Sequence, residues 1–186
     1  MTQAVLSGDT LVLVGKATGN AAPQEITVTL ASVQAPRISR GPQQATEDPF
    51  AFESREFLRK ICVGKPASFR VIYCVSSINR TFADVNLVTV GGNADVSDSI
   101  QSLAKLVVAA GWCTVAQATG GHSSDLYDEL VVLVAQAKVE GLKVHAKSVS
   151  SARKINWAPT SAEVEEVIAN KGKPVSVIVV SLILLD

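Results

Sequence analysis

The sequence predicts an α+β fold: a small five-stranded antiparallel β-barrel carrying three helices. Three observations support this expectation. Short segments with period-two apolar alternation come mostly early in the chain and helical apolar stripes mostly late, whereas a doubly wound sheet would alternate the two regularly. Glycine-bearing turns separate the strand-like runs. The 186 residues are 47% hydrophobic and 18% charged, which supports a real core and argues against wholesale disorder.

Val5–Gly15 reads as strand with a turn at Ser7-Gly8-Asp9, followed by the run Leu11-Val12-Leu13-Val14. Thr18–Pro23 has loop composition, and Ile26–Leu30 alternates as a half-buried strand. The first helix is expected over Ala51–Val63, with Phe57, Leu58 and Ile61 at helical spacing and Gly64 as its stop. Strands follow at Pro66–Tyr73 and Phe82–Val90, the latter ending in a Gly91-Gly92-Asn93 turn. The second helix is expected over Ser97–Ala110, with Ile100, Leu103, Ala104 and Val107 inward and Gly111 closing it. A loop over Thr114–His122 leads to a third helix over Ser124–Val139, with Leu126, Leu130, Val134 and Ala137 inward. A barrel this small with five strands suggests the oligonucleotide/oligosaccharide-binding type.

Composition narrows the chemistry. Lys+Arg and Asp+Glu both number 17, so the chain is not a polycation, and a nucleic-acid partner would need a segregated basic face. At 5% aromatic residues, a module built mainly on base stacking is disfavoured. Cys62, Cys74 and Cys113 are odd in number and lack paired spacing, which fits buried thiols in a reducing compartment rather than disulfides or zinc. The start of the chain has neither the basic nor the apolar region of a secretory signal. The most apolar run, Val175–Leu185, falls well short of the roughly 20 residues of a membrane span, so no membrane is expected. That run reads as a strand which must pair with a sheet edge, its own or a second copy's, since an open apolar edge recruits another chain. The expected organisation is one domain over residues 1–147, a linker over 148–174 and the beginning of another repeat over 175–186.

Several motifs in order resemble the staphylococcal-nuclease-like domains. These are Ser7-Gly8-Asp9-Thr10, Leu30–Pro36, Pro49–Lys60 with Val63-Gly64-Lys65, Leu106–Gly111, and Ala135–Lys138 with Gly141-Leu142. The stretch over Ala51–Lys65 is most similar to the first such domain of the Tudor staphylococcal nucleases, eukaryotic multi-domain RNA-binding proteins. The resemblance covers residues 5–147 and implies the same barrel with three helices.

In active members, the resemblance implies, two aspartates hold calcium, a glutamate aids the attacking water and two arginines hold the phosphate. Calcium takes 6–8 oxygen ligands, and arginine matches phosphate in a bidentate fork. Carried over by position, Asp9 stands at the first metal aspartate and is the only ligand-type residue retained. Thr29 stands at the first arginine, Gln34 at the second aspartate, Arg37 at the glutamate and Asp84 at the second arginine. Ala35 supplies a carbonyl that any residue could provide. No bound calcium or other cofactor is expected, and Arg37 is expected to pair with Asp9. A calcium-dependent nuclease completed by another domain or copy is the alternative.

His122 reads as a loop histidine and His145 as a residue packed on the barrel. Cations are segregated: residues 55–80 carry six against Glu56 alone, and residues 138–154 five against Glu140 alone. The candidate nucleic-acid-binding residues are Arg37, Arg40, Arg55, Arg59, Lys60, Lys138, Lys143 and Lys147. The opposing reading is an ordinary solvated helix face, with Glu56 and Lys60 at i,i+4. The resemblance implies a degenerate, RNA-binding or scaffolding domain in RNA silencing, RNA metabolism or transcription coactivation. It further implies double-stranded or structured RNA and ribonucleoprotein proteins as partners, and a cytoplasmic, also nuclear, location. A homodimer through Val175–Leu185 is a further expectation.

Overall fold

The computed structural model describes residues 1–16, 19, 21–39, 47–89, 99–116, 124–146, 160–162, 165 and 169. The chain divides into two compact units, Met1–Arg153 and Lys154–Asp186. In the second unit, residues 161, 162, 165 and 169 are helical, and the expected strand at Val175–Leu185 lies outside the described residues.

The first unit is α+β. A hairpin of β1 (Thr2–Ser7) and β2 (Thr10–Val14) leads to β3 (Glu25–Leu30) and a short β4 (Val33–Gln34). Helix α1 (Ala51–Cys62) follows, then the long hairpin β5 (Ala67–Val75) and β6 (Arg80–Thr89). The chain continues through β7 (Ser99–Ser102), α2 (Leu103–Ala109), β8 (Thr114–Val115) and α3 (Tyr127–Glu140). Strands in the order β1-β2-β3-β6-β5 curl into a half-barrel, β7 pairs with β6, and β4 and β8 form a separate two-stranded sheet.

The sheet is mixed rather than purely antiparallel, because β3 and β6 run parallel, with Val28, Leu30 and Thr29 opposite Thr81, Ala83 and Phe82. The β4–α1–β5 crossover lies between them and lets β6 enter beside β3 in the same direction. Since β5 occupies one edge of β6 throughout, β3 and β7 share the other edge.

Period-two alternation along β6 sends Ala83, Val85 and Leu87 into the core and Phe82, Asp84 and Asn86 to the opposite face. Leu58 of α1, Leu103 and Val107 of α2, and Leu130 and Val134 of α3 close over Leu11, Val28 and Leu30. Gly111, at φ 74°, lets the α2 terminus meet the segment after α3, where a Cβ would stand 2.5 Å from that of Leu142.

Three sequence expectations change. The first strand begins at Thr2 and the turn at Gly8-Asp9 makes it a hairpin. The second helix begins at Leu103: Ser99–Ser102 is strand, and Ile100 is 69% exposed instead of inward. Ser102 caps the helix, its Oγ accepting from the Lys105 amide at 3.4 Å, and this local bond outcompetes the apolar spacing that extended the helix backward. Thr114-Val115 pairs with β4 rather than lying in a loop. The turn at 91–93 and the glycine loop at 120–121 lie outside the described residues.

Candidate functional site

The β1–β2 turn is the centre of the site. At Gly8 the hairpin touches α1 so closely that a Cβ would fall 1.9 Å from Ser54 Oγ and 2.9 Å from Ala35 Cβ. Ser54 Oγ donates to the Trp112 carbonyl at 3.0 Å, and Cys113 Sγ donates to the Gly8 carbonyl at 3.5 Å. Turn, helix and the α2–β8 connection are thereby locked together. Burial pushes the Cys113 thiol up to about 12, and that of Cys62 up to about 11, so both remain protonated packing groups. Cys74, expected in the core with them, is exposed on β5.

Asp9 is half-buried and heavily engaged. Its Oδ1 accepts from Ser7 Oγ at 2.6 Å and Thr10 Oγ1 at 3.0 Å, and its Oδ2 accepts from the Ala35 amide at 3.1 Å. The carboxylate thus clips the hairpin to the segment following β4. Thr10 Oγ1 lies 3.2 Å from Thr29 Oγ1. Asp9, Thr10, Thr29 and the Gln34-Ala35 segment are therefore brought together.

Arg37 does not pair with Asp9. It is exposed, its amide donates to Asp48 Oδ2 at 2.8 Å, and its carbonyl accepts from the Asp48 amide at 2.9 Å. The reason is local: three donors already occupy the Asp9 carboxylate, while the Arg37 backbone is bound on both its amide and its carbonyl by Asp48. Gln34 is exposed, and its carbonyl accepts from Thr114 Oγ1 at 3.3 Å. At these positions one carboxylate, itself bound by three donors, stands against the 6–8 oxygens that calcium takes. Among the described residues, no three His, Cys, Asp or Glu side chains come together.

Asp84 also leaves the cluster. It is 6% exposed, accepts from Arg70 Nη2 at 3.1 Å and Ser124 Oγ at 2.7 Å, and anchors the entry to α3. The cation beside Thr29 is Arg80, at the start of β6. With Leu6, Thr10, Thr27, Thr29, Ile78 and Asn79 it lines a cavity of about 320 Å³. Its guanidinium lies over Phe82 at 5.7 Å, and Phe82 stacks on Tyr73 at 4.4 Å. Burial raises the Tyr73 hydroxyl above its usual value against the opposing charge of Arg80. Sequence reading passed over Arg80 as a site residue. The signal was the β3–β6 register: Arg80 and Phe82 alternate onto the face that Thr29 shares, a pairing no local pattern reveals.

The basic set divides. Arg55 and Arg59 converge on Glu56, at 3.2 and 2.8 Å. Burial acts to raise the Glu56 carboxyl, but the Arg59 hydrogen bond and both arginine charges outweigh it and hold the group below its usual range. Lys60 and Lys138 are exposed. Lys143 sits 5.4 Å over the Trp112 ring, which also meets Phe57 of α1 at 5.9 Å and Phe50 at 6.4 Å. The aromatic cluster thus joins the α1 surface to the chain leaving α3. Arg40, Lys147 and His122 lie outside the described residues. His145 is half-buried, burial lowers its pKa, and its Nε2 is buried without a partner.

No family model matches the chain. It is 38% identical over 191 residues to "Ribonuclease TUDOR 2" and to "Ribonuclease TUDOR 1" of Arabidopsis thaliana, covering 95% of this chain and 18% of each relative. It is 30% identical over 161 residues to "Staphylococcal nuclease domain-containing protein 1" of Drosophila melanogaster, covering 83% of this chain and 16% of the relative. The chain spans under a fifth of the length of these relatives. With the half-barrel and three helices in place, it belongs with the staphylococcal-nuclease-like domains of the Tudor staphylococcal nuclease family.

Proposed function

We propose that this domain is a catalytically impaired member of its nuclease family that grips RNA and acts as a scaffold beside neighbouring domains. One observation carries the reading: Asp9, the retained carboxylate, is consumed as a hairpin clip, whereas the adjoining cavity offers Arg80 and the exposed Thr27 hydroxyl, those of Thr10 and Thr29 being held to Asp9 and to each other. Such a lining accepts a phosphate oxygen but supplies no carboxylate to hold a metal or activate water. The cations of α1 and of the α3 exit, joined through Trp112, extend the electrostatic grip. Ribonucleoprotein proteins, structured RNA and a cytoplasmic and nuclear setting belong to this reading.

The test is calorimetric titration of calcium into the chain, beside fluorescence-anisotropy titration of structured RNA. The expected result is RNA binding that weakens steeply with salt, is reduced by Arg80→Ala, and comes with no stoichiometric calcium uptake and no calcium-dependent cleavage. The name "Ribonuclease" borne by two relatives favours a second reading, a nuclease whose site is completed by another domain or copy. Stoichiometric calcium binding with cleavage, in the chain or after adding the following domain, would establish that alternative.

A further inference from the structure

A second cavity, of about 650 Å³, lies farther along the same face of β6. Strand alternation places Arg80, Phe82, Asp84 and Asn86 on that face. Arg80 lines the smaller cavity and Asp84 and Asn86 the larger, four and six residues or about 13 and about 20 Å along at a strand rise of about 3.3 Å. The Phe82–Tyr73 stack stands between them.

The charges of the larger groove are already spent. Arg70 bridges Asp84 at 3.1 Å and Asp125 at 2.7 Å, and Lys105 pairs with Glu129. A phosphate entering here would meet carboxylates as near as cations, so the groove suits an uncharged group. What remains is the amide of Asn86, the hydroxyl of Ser102 opposite it across the β6–β7 pair, and the aliphatic surfaces of Ile100, Leu106 and Leu126; Gln101, paired with the core-facing Leu87, falls on the other face of the strand. Apolar surface with a primary amide and a hydroxyl at the edge is chemistry that holds a flat, hydrogen-bonding ring; the Asn86 amide offers adjacent donor and acceptor atoms to a base edge. Ile100, 69% exposed on β7, otherwise has no packing role.

We propose that this groove receives an unpaired nucleobase of a structured RNA whose backbone is held at the Arg80 cavity. The inference rests on the RNA-binding reading above and adds to it a recognition mode. RNA is read at loops and bulges, where bases can leave the stack. Contacts to the backbone hold the strand, and the groove selects for an unpaired segment.

The test uses the whole chain with two labelled probes, an RNA hairpin with a wide single-stranded loop and a blunt duplex of the same stem. Ile100→Ala and Asn86→Ala alter groove-facing positions outside the core and keep the melting temperature, checked by circular dichroism. The combined variant is expected to bind the hairpin about tenfold more weakly, equivalent to about 1.4 kcal/mol. Its duplex binding and the slope of affinity against salt stay unchanged. Arg80→Ala weakens both probes and lowers that slope by about one. Unchanged hairpin affinity in the groove variant, with Arg80→Ala still weakening it, overturns the base site while the RNA-binding reading stands, and leaves the groove to a peptide strand along β7. Equal losses on hairpin and duplex, or a lower salt slope, also overturn it, because the groove would then be holding backbone. No RNA binding by the unaltered chain overturns both.

Discussion

Asp9 receives three hydrogen bonds on two oxygens, so its removal strands two hydroxyls and the Ala35 amide. Asp9→Ala is expected to cost about 1–3 kcal/mol, read as a lower urea midpoint. Asp9→Asn, which keeps an acceptor, should cost less. If the residue served mainly a ligand, neither change would move the midpoint. Gly8→Ala should cost more than Asp9→Asn, because its methyl collides with Ser54. On α1, Glu56→Gln releases Arg55 and Arg59 from their shared partner. With the pair largely solvent-screened, stability should change by under about 1 kcal/mol. RNA affinity should rise at low salt; unchanged affinity would remove the α1 arginines from the interface.

At the scale of elements, the helix termini decide boundaries. Ser102 ends β7 and starts α2, and Ser124 starts the turn into α3 with its Oγ both donating to Asp84 and accepting from the Leu126 amide. Ser102→Ala is expected to lower stability by about 1 kcal/mol. Ser124→Ala should cost more, because it also leaves the buried Asp84 short of a donor; chemical denaturation distinguishes the two. The sequence located α1 and the body of α3 from their apolar spacing, but it started α3 at Ser124, where the structure has a turn and the helix begins at Tyr127. It misplaced the start of α2 because Ile100 and Leu103 satisfy helical spacing by coincidence, on either side of a cap.

Across the whole molecule, stability should fall on acidification in two stages. His145 is held neutral by burial, so its pKa lies below the unfolded value near 6.5. Its contribution is complete above that pH and fades as pH falls through the folded pKa. Glu56 is likewise depressed, and its contribution is lost at lower pH, below 4.5. His145→Gln should flatten the first stage of the thermal-melting profile and leave the second. The His145 turn lies against the α2–β8 connection, its neighbour Val144 donating to the Gly111 carbonyl at 3.2 Å, so this stage reports the seat of the Gly8 turn.

Composition and period determined the α+β class, four strand-bearing segments and the inward stripes of two helices, because burial acts on each segment alone and leaves its period in the residues. The placing of the Gly-Asp-Thr turn beside the Gln34–Arg37 stretch came from the family resemblance and from neither composition nor period. Tertiary structure alone decided that β3 and β6 pair in parallel, that Arg80 rather than Asp84 stands beside Thr29, and that Asp9 binds Ser7, Thr10 and Ala35 rather than Arg37. The physical reason is that strand register and hydrogen-bond competition are set between segments distant in the chain, where no local pattern records which partner wins.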